Sequence, residues 1–217
     1  MPDYPARRRQ MVDTQVRPAD VSKFPIIDAL LHVERERFVP DSWRDACYVG
    51  ENVELGNNRV IFEPRTLAKM LEALDVQPNE LVLNVGAAYG YTAAVLARLG
   101  EAVVALEEDE ALAKDAETAL GEAGVDSAAV VTNPLVEGCP KLGPFDKILV
   151  EGGVGTLPEA LIDQLAEGGR ITVLFMEKRL GICKIGYKID GEMTWRQIFN
   201  AGAPVIPGFE TKSTFAL

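Results

Sequence analysis

The sequence predicts an α/β fold whose sheet is mostly parallel, carries helices on both faces and ends in antiparallel strands. Between residues 81 and 169, short apolar runs alternate with segments of helical periodicity, a pattern typical of parallel strands joined by crossover helices. After Gly169 the helical periodicity stops. The β-like runs "RITVLFME", "RLGICKIGYKID" and "TWRQIFN" then follow one another, with a turn at Asp190-Gly191.

Length and composition indicate a globular domain with a large apolar core. The chain has 217 residues, of which 47% are hydrophobic. We expect residues 1–78 to form a helical and lid segment that packs on a core at residues 79–217, within one structural domain. No apolar run approaches the roughly 18 residues that cross a bilayer, so we expect no membrane-spanning role. The N-terminal arginines are followed by no apolar leader, which favours a cytoplasmic protein.

Charge and cysteine content argue against further classes of function. The formal net charge of −11 disfavours a nucleic-acid partner, because phosphate backbones bind broad basic surfaces and Arg7–Arg9 is a short cluster. Cys47, Cys139 and Cys183 are widely spaced and form no C-x-x-C pair. We therefore expect buried thiols, no disulfide framework and no metal site. The oligomeric state is left open.

Two helices are predicted before the first long connection. The stretch "RRRQMVDTQV" can form a helix between prolines, and residues 24–36 place their apolar side chains on one helical face. His32 falls on the polar side of the second helix, near Asp28 and Arg35, where we expect it to be solvated. Because it is the chain's one histidine, mechanisms of the Ser-His-Asp or Cys-His type are disfavoured.

A long irregular segment, "FVPDSWRDACYVGENVELGNNRVIFEP", follows these helices. It carries turn signals at Pro40-Asp41 and at Gly56-Asn57-Asn58. A connection of this length inside a compact domain is typical of a lid or a binding loop. The next stretch, "RTLAKMLEALDV", is predicted to be a helix with leucine and methionine at core spacing.

The stretch Leu81–Tyr91, "LVLNVGAAYGY", indicates a strand, a tight loop and the start of a helix. The loop between Gly86 and Gly90 is built mostly from small residues, which let the backbone approach a ligand in front of the helix N–H groups. The run "AVVALEED" is a second strand that ends in Glu107. An acid about 20 residues after such a loop receives ribose hydroxyls, so the sequence predicts a nucleotide-like cofactor here.

The core continues with regular alternation. We predict helices at residues 92–99, at 110–123 and in "PEALIDQLAEGG", and strands at 102–106, at 127–132 and in "FDKILVEGG". The last of these strands reaches Glu151 at the sheet edge where open α/β sheets bind ligands. Glu151 is a candidate to touch substrate or cofactor, or to act as base for a hydroxyl substrate. A solvated carboxylate at the strand end is the alternative.

Taken together, these stretches resemble the protein-L-isoaspartate O-methyltransferase family over nearly the full chain. The resemblance is carried in order by "MVDTQVRP", "ALLHVERERFVP", "VLNVGAAYGYTAAVLARL", "VVALEED", "GPFDKILVEGG" and "LPEALIDQLAEGGR". It implies the Rossmann-like fold of S-adenosylmethionine-dependent methyltransferases, which finishes in antiparallel strands. The implied activity is protein repair, in which the free α-carboxylate of an isoaspartyl residue in a protein or peptide is methylated and S-adenosylhomocysteine is released.

The chain departs from the family pattern at the cofactor motifs. The first motif usually begins with an acid where Asn84 stands, and its usual G-x-G-x-G loop is G-A-A-Y-G here. Ala88 therefore replaces the central glycine, and Tyr89 is bulky at a position that is usually small. The family's G-D-G motif aligns with Asn133-Pro134-Leu135, which removes a carboxylate from the adenine side.

The largest departure lies in the segment associated with catalysis. The family's Q-T-I-S aligns with "RVIF", so Val60 and Phe62 replace hydroxyl residues associated with catalysis and with placement of the substrate carboxylate. Arg59 or Arg65 is a candidate to bind an acidic substrate through a bidentate contact, with solvation of a loop as the alternative. The predicted catalytic residues are Glu151 and Arg59.

The predicted cofactor contacts lie at the ends of the core strands and in the loops that follow them. They are Asn84, Gly86, Ala87, Ala88, Tyr89, Gly90, Glu107, Glu108, Asn133 and Pro134. The leading hypothesis is an S-adenosylmethionine-dependent O-methyltransferase of the isoaspartyl repair type. A catalytically lapsed or substrate-switched relative that binds the cofactor without methylating isoaspartyl residues is the alternative, and a nicotinamide-dependent oxidoreductase is the third.

Overall fold

The computed structural model describes residues 3–178 and 180–211. The strands are β1 (Val53–Gly56), β2 (Arg59–Ile61), β3 (Leu81–Val85), β4 (Ala102–Glu107), β5 (Ala128–Thr132), β6 (Phe145–Val154), β7 (Leu165–Glu177), β8 (Leu180–Ile189) and β9 (Glu192–Ala201). The helices are α1 (Tyr4–Met11), α2 (Phe24–His32), α3 (Pro64–Leu74), α4 (Tyr91–Leu96), α5 (Glu110–Glu122) and α6 (Glu159–Asp163). Within these ranges, no helix combines the length and the apolar character needed to cross a membrane.

The central sheet has seven strands in the order β5-β4-β3-β6-β7-β8-β9. Strands β3 to β7 pair in parallel, whereas β8 and β9 are antiparallel to their neighbours. The turn between the last two strands lies at Asp190-Gly191, where both residues have positive φ angles of 53° and 77°. The predicted fold class, a mostly parallel sheet with an antiparallel C-terminal end, is confirmed.

The two faces of the sheet are covered unequally. Buried residues of α1 to α5 form one apolar cluster with side chains of the first face, such as Val82 and Leu149. The second face packs against α6 through Leu161 and against loop residues such as Leu135 and Phe209. Helices are present on both faces as predicted, but the site described below lies on the first face, under the larger set of helices.

The N-terminal segment packs directly on the core. Helix α1 is followed by further helical turns at Val12–Val16 and Arg17–Ala19, and α2 buries Ile26 and Leu30 against the sheet-facing cluster. The side chain of His32 is 57% exposed on the polar side of α2, as the periodicity predicts. The division of the chain at residue 78 stays a prediction, since both parts contribute to one apolar cluster.

The predicted lid or binding loop contains a small β-hairpin, which we call the β1–β2 hairpin (Val53–Ile61). It forms a two-stranded sheet of its own. Its turn consists of Gly56, Asn57 and Asn58, all with positive φ angles of 84°, 47° and 57°. Glycine and asparagine tolerate this conformation better than other residues, which explains why the chain reverses there. The hairpin delivers Arg59 to the site.

Three predicted helices were too long, including that of residues 24–36, which ends at His32. The stretch "PEALIDQLAEGG" is helical only at α6, because Leu165 leaves the helix to pair with Phe145 at the start of β7. Gln164 caps this change of direction, since its backbone carbonyl accepts a hydrogen bond from the N–H of Phe145 at 2.8 Å. Helix α4 likewise ends at Leu96 rather than at residue 99.

Candidate active site

Polar side chains collect at the carboxyl ends of the parallel strands, on the face covered by most of the helices. Asn84 near the end of β3, Glu107 at the end of β4 and Glu151 in β6 are all buried, with relative exposures of 0%, 0% and 1%. Their apolar neighbours along each strand point to the opposite face, as strand alternation requires. Burying polar groups lowers the stability of a protein unless they are hydrogen-bonded or ion-paired. The collection of such groups at this edge therefore identifies the candidate site.

Glu107 connects the end of β4 to the loop that follows β3. Its Oε2 accepts a hydrogen bond from the backbone N–H of Ala88 at 2.8 Å. Its Oε1 accepts from the N–H groups of Glu108 at 3.0 Å and Asp109 at 3.1 Å. The acid predicted to receive ribose hydroxyls is therefore in direct contact with the loop predicted to hold the cofactor.

Arg59 forms a buried ion pair with this same acid. Its Nη1 donates to Oε1 of Glu107 and its Nη2 donates to Oε2, both at 2.6 Å, while the two side chains are 5% and 0% exposed. Burial alone lowers the pKa of Arg59, but the hydrogen bonds and the charge of Glu107 outweigh that effect and the net shift is upward. The guanidinium group is thus charged and committed to Glu107 instead of facing an acidic substrate.

The loop after β3 adopts the conformation expected of a close backbone approach. Gly86, Ala88 and Gly90 have positive φ angles of 83°, 51° and 87°, so Ala88 takes up a left-handed conformation without being glycine. The N–H groups of Gly86 and Ala87 both donate to the carbonyl of Leu106, at 2.9 and 3.0 Å. Because these donors are used inside the protein, the loop would hold a ligand mainly by its shape.

A cleft of about 750 Å³ opens between this loop, the β1–β2 hairpin and the start of α5. Tyr89 and Glu108 line it from the core side, and Asn58 and Arg59 line it from the hairpin. Asp115 of α5 adds a further carboxylate. The cleft therefore lies directly in front of the Arg59–Glu107 pair and is rich in acidic groups.

The predicted adenine-side residues lie in the loop after β5. The backbone N–H of Asn133 donates to the carbonyl of Glu107 at 3.3 Å, and its side-chain amide donates to the carbonyl of Gly138 at 2.8 Å. Pro134 is exposed. Glu108 accepts a hydrogen bond from the N–H of Leu135 at 3.2 Å, which joins this loop to the end of β4. The role of these residues in cofactor binding stays a prediction.

Sequence comparison decides the family. A profile of the protein-L-isoaspartate(D-aspartate) O-methyltransferases, PCMT, matches residues 6–198. This chain belongs to that family. A protein-L-isoaspartate O-methyltransferase of Methylorubrum extorquens is 38% identical over 173 residues, which are 80% of this chain and 75% of the relative. The enzyme of that name from Gloeobacter violaceus is 39% identical over 163 residues, or 75% of this chain and 80% of the relative.

Structural comparison shows the same fold in a solved structure. A solved structure from Plasmodium falciparum, placed in the same family and bound to S-adenosyl-L-homocysteine, superposes with a TM-score of 0.80. The superposition covers 95% of this chain and 99% of that one. At 18% sequence identity the likeness shows the shared fold.

Phe62, which the sequence resemblance aligns with a hydroxyl residue, has a side chain that is fully buried in the apolar cluster of the first face. Its backbone, in contrast, serves the polar site. The N–H of Phe62 donates to Oε1 of Glu151 at 3.4 Å, and its carbonyl accepts from Nη2 of Arg35 at 2.7 Å. The segment that carries hydroxyl groups in the PCMT pattern therefore contributes an apolar side chain and two backbone groups here.

Arg35 is a site residue that the sequence did not reveal. We expected it beside His32 on a polar helical face, but α2 ends at His32 and the chain turns inward. The guanidinium is fully buried, 4.6 Å from the ring centre of Tyr91, and its Nε donates to the carbonyl of Cys47 at 2.7 Å. The periodicity of the sequence around Arg35 does not predict its burial, because its partners come from three distant segments.

Glu151 is a buried carboxyl group of this PCMT site whose described hydrogen bond comes from the Phe62 N–H. Among the described residues, its Oε2 and both polar atoms of the Asn84 side chain have no hydrogen-bond partner. Burial raises the pKa of Glu151 to about 7, against the opposing effects of the nearby Thr92 side chain, the Phe62 N–H and the charges of Arg35 and Arg59. Near neutral pH the group therefore exchanges between its acid and carboxylate forms.

Glu151→Gln is expected to stabilise the chain at pH 8 by up to about 3 kcal/mol, with no gain at pH 4.5. The folded pKa of about 7 exceeds the ordinary value of 4.5, so the folded state holds a proton that the unfolded state has lost. The free energy of unfolding of the unaltered chain thus falls as pH rises from about 4.5 to 7, and glutamine removes this fall. Urea unfolding across that range measures the difference between the two proteins.

The exposed Glu101 supplies the control for this prediction. Glu101→Gln should leave the free energy of unfolding within about 0.5 kcal/mol of the unaltered chain at each pH. A stability difference for Glu151→Gln that is the same at pH 4.5 and pH 8 would contradict the assignment of a raised pKa.

Proposed function

We propose that the chain is an S-adenosylmethionine-dependent O-methyltransferase that methylates isoaspartyl carboxylates in proteins or peptides. Family membership supports the reaction type, since residues 6–198 match the PCMT profile. The observation that carries the proposal is the contact between Glu107, at the end of β4, and the N–H of Ala88 in the loop after β3. An acid in this position beside such a loop is the arrangement that receives an adenosyl ribose.

The chain's own residues fit the cofactor at this edge. We assign the loop from Gly86 to Gly90 to the methionyl and ribose part, because its small residues and the positive φ angles at Gly86 and Gly90 suit a close approach of the backbone to a ligand. Asn84 supports that assignment, since its buried amide lacks partners within the described part of the chain. Glu107 is assigned to the ribose hydroxyls, while Glu108, Asn133 and the neighbouring Pro134 are assigned to the adenine side.

The chemistry places modest demands on these residues. The cofactor supplies a methyl group on a positively charged sulfur, which a substrate carboxylate takes up as a methyl ester while the neutral thioether is released. A carboxylate with an ordinary pKa near 4 is ionised at neutral pH, so no general base is required. The protein has to orient the carboxylate, align it with the methyl group and exclude water.

Glu151 is the residue we assign to orientation of the substrate. In its acid form it offers one O–H donor to a carboxylate, a role that replaces the hydroxyl residues missing from "RVIF". Its raised pKa, about 7, leaves a substantial acid fraction at neutral pH. Loss of one such donor in other enzymes costs about 10²–10³ in rate. If Glu151→Gln alters neither cofactor affinity nor turnover, this assignment is wrong.

Partner and compartment are part of the proposal. The substrate is a protein or peptide with a free carboxylate, and nucleic acid is not a partner, consistent with the net charge of −11. We also propose a cytoplasmic location. Cys47, Cys139 and Cys183 are buried as free thiols, which suits a reducing compartment.

Methyl transfer to an isoaspartyl peptide tests the proposed function. We expect labelled S-adenosylmethionine to give a base-labile methyl ester with an isoaspartyl peptide and none with the same peptide containing ordinary aspartate. Arg98→Gln, which removes an exposed ion pair with Asp28, should be as active as the unaltered chain.

The outcomes of this assay separate the hypotheses. Cofactor binding without ester formation would reject isoaspartyl methylation and support the alternative hypothesis of a lapsed or substrate-switched relative. No observation favours that alternative. Ester formation on both peptides would reject isoaspartyl specificity. Failure to bind the cofactor at all would reject the methyltransferase, and protection by NAD would then support the oxidoreductase.

A further inference from the structure

The guanidinium of Arg59 lies where the cofactor's ribose is expected. Its two terminal nitrogens contact both oxygens of Glu107 at 2.6 Å. The same group packs on the cofactor loop, because a Cβ added at Gly86 would lie 3.2 Å from Nη2 of Arg59. The side chain thus fills the space between the ribose acid and the loop.

Glu107 has no capacity left for a ribose while this pair is intact. Besides Arg59, its oxygens accept hydrogen bonds from the N–H groups of Ala88, Glu108 and Asp109. A carboxylate offers about four lone-pair sites, whereas five hydrogen bonds reach Glu107, three at Oε1 and two at Oε2. A ribose hydroxyl can therefore reach Glu107 only if Arg59 leaves.

The side chain of Arg59 can leave Glu107 while β2 stays in place. Val60 and Ile61 of β2 are buried in the apolar cluster of the first face, whereas the turn before Arg59 is exposed. Beside Arg59 lies the cleft of about 750 Å³. Glu108 and Asp115 line that cleft, so a displaced guanidinium has other carboxylates to approach.

We propose that Arg59 is a built-in competitor of the cofactor, which binds only when the Arg59 side chain releases Glu107 and turns into the cleft. The proposal rests on the proposed function, since it concerns access to the same cofactor site. The observed conformation is then the closed, cofactor-excluding state. Apparent affinity for the cofactor is reduced by the fraction of molecules that are open, so removing the competitor raises it.

Arg59→Gln tests the proposal through the affinity for S-adenosylhomocysteine, measured by calorimetry. We expect the dissociation constant to fall at least about tenfold relative to the unaltered chain. Arg59→Lys keeps the charge but loses the bidentate contact, so its dissociation constant should lie between those of Arg59→Gln and the unaltered chain. Arg98→Gln is the matched control and should bind like the unaltered chain, since Arg98 is an exposed partner of Asp28.

A second measurement uses the unaltered chain. Arg59 should give a slowly exchanging guanidinium signal in nitrogen-15 NMR, assigned by its loss in Arg59→Lys. Saturation with S-adenosylhomocysteine should remove the exchange protection of that signal, because the ion pair breaks. This readout remains decisive if Arg59→Gln fails to fold, since Arg59→Lys retains a cation opposite Glu107.

The results distinguish this inference from the proposed function. If S-adenosylhomocysteine binds the unaltered chain as tightly as it binds Arg59→Gln, or if the Arg59 signal stays protected at saturation, the competitor role is overturned and the methyltransferase stands. If none of the folded proteins binds S-adenosylhomocysteine at millimolar concentration, the proposed function fails and the competitor role fails with it.

Discussion

Glu107→Gln is expected to lower the free energy of unfolding by about 3–5 kcal/mol, because it leaves the buried Arg59 charge without its anion. The guanidinium is 5% exposed, and within residues 3–178 and 180–211 its Nε has no partner to compensate. Urea unfolding followed by circular dichroism measures the loss. Arg59→Gln should cost less, since Glu107 keeps the N–H groups of Ala88, Glu108 and Asp109.

A matched exposed pair gives the control for this prediction. Asp28→Asn breaks the ion pair between Asp28 and Arg98, in which the two side chains are 33% and 44% exposed. This substitution should lower the free energy of unfolding by at most about 1 kcal/mol. Combining Arg59→Gln with Glu107→Gln should recover stability relative to Glu107→Gln alone, because the unpaired charge is gone. Equal losses for Glu107→Gln and Asp28→Asn would show that the Arg59–Glu107 pair is not buried as described.

Phe62→Ser is expected to destabilise the chain by about 3–5 kcal/mol rather than restore a family-like site. Phe62 is fully buried in the apolar cluster, so serine would leave a cavity and place a hydroxyl among apolar side chains. The hydroxyl that the sequence resemblance implies at this position is therefore not expected to be regained by one substitution. Urea unfolding at pH 8 measures the effect.

Phe24 offers the same substitution on the surface. It begins α2 and is 74% exposed, so Phe24→Ser should change the free energy of unfolding by no more than about 0.5 kcal/mol. A loss below about 1 kcal/mol for Phe62→Ser would mean that the segment 59–62 adapts to the smaller residue. The account of Phe62 as a core residue would then be wrong.

The sequence predicted the frame of the site because that frame is local. Strand alternation and the length of each apolar run place Glu107 at the end of β4, and parallel pairing brings it to the same edge as Glu151. Glu151 was expected to end its strand, but β6 continues beyond it to Val154. Asp109, directly after β4, caps α5, because its side chain accepts a hydrogen bond from the N–H of Ala111 at 2.9 Å.

The pairings within the site could not be predicted in the same way. Arg59 and Glu107 are 48 positions apart and meet only because the hairpin folds back over the sheet edge. Arg35 is buried because α2 stops at His32, a boundary that the periodicity of residues 24–36 does not mark. No periodicity in the sequence marks a long-range contact between the first residue of β2 and the acid at the end of β4. The contact is visible only in the three-dimensional structure.

The most direct test of the central claim is the distance between the ribose oxygens and the Glu107 carboxylate in a crystal structure with S-adenosylhomocysteine. We expect hydrogen-bond distances of about 2.6–3.0 Å, with Arg59 withdrawn from Glu107. An Arg59–Glu107 pair that remains at 2.6 Å while the ligand is bound, or a ligand bound away from Glu107, would contradict the account.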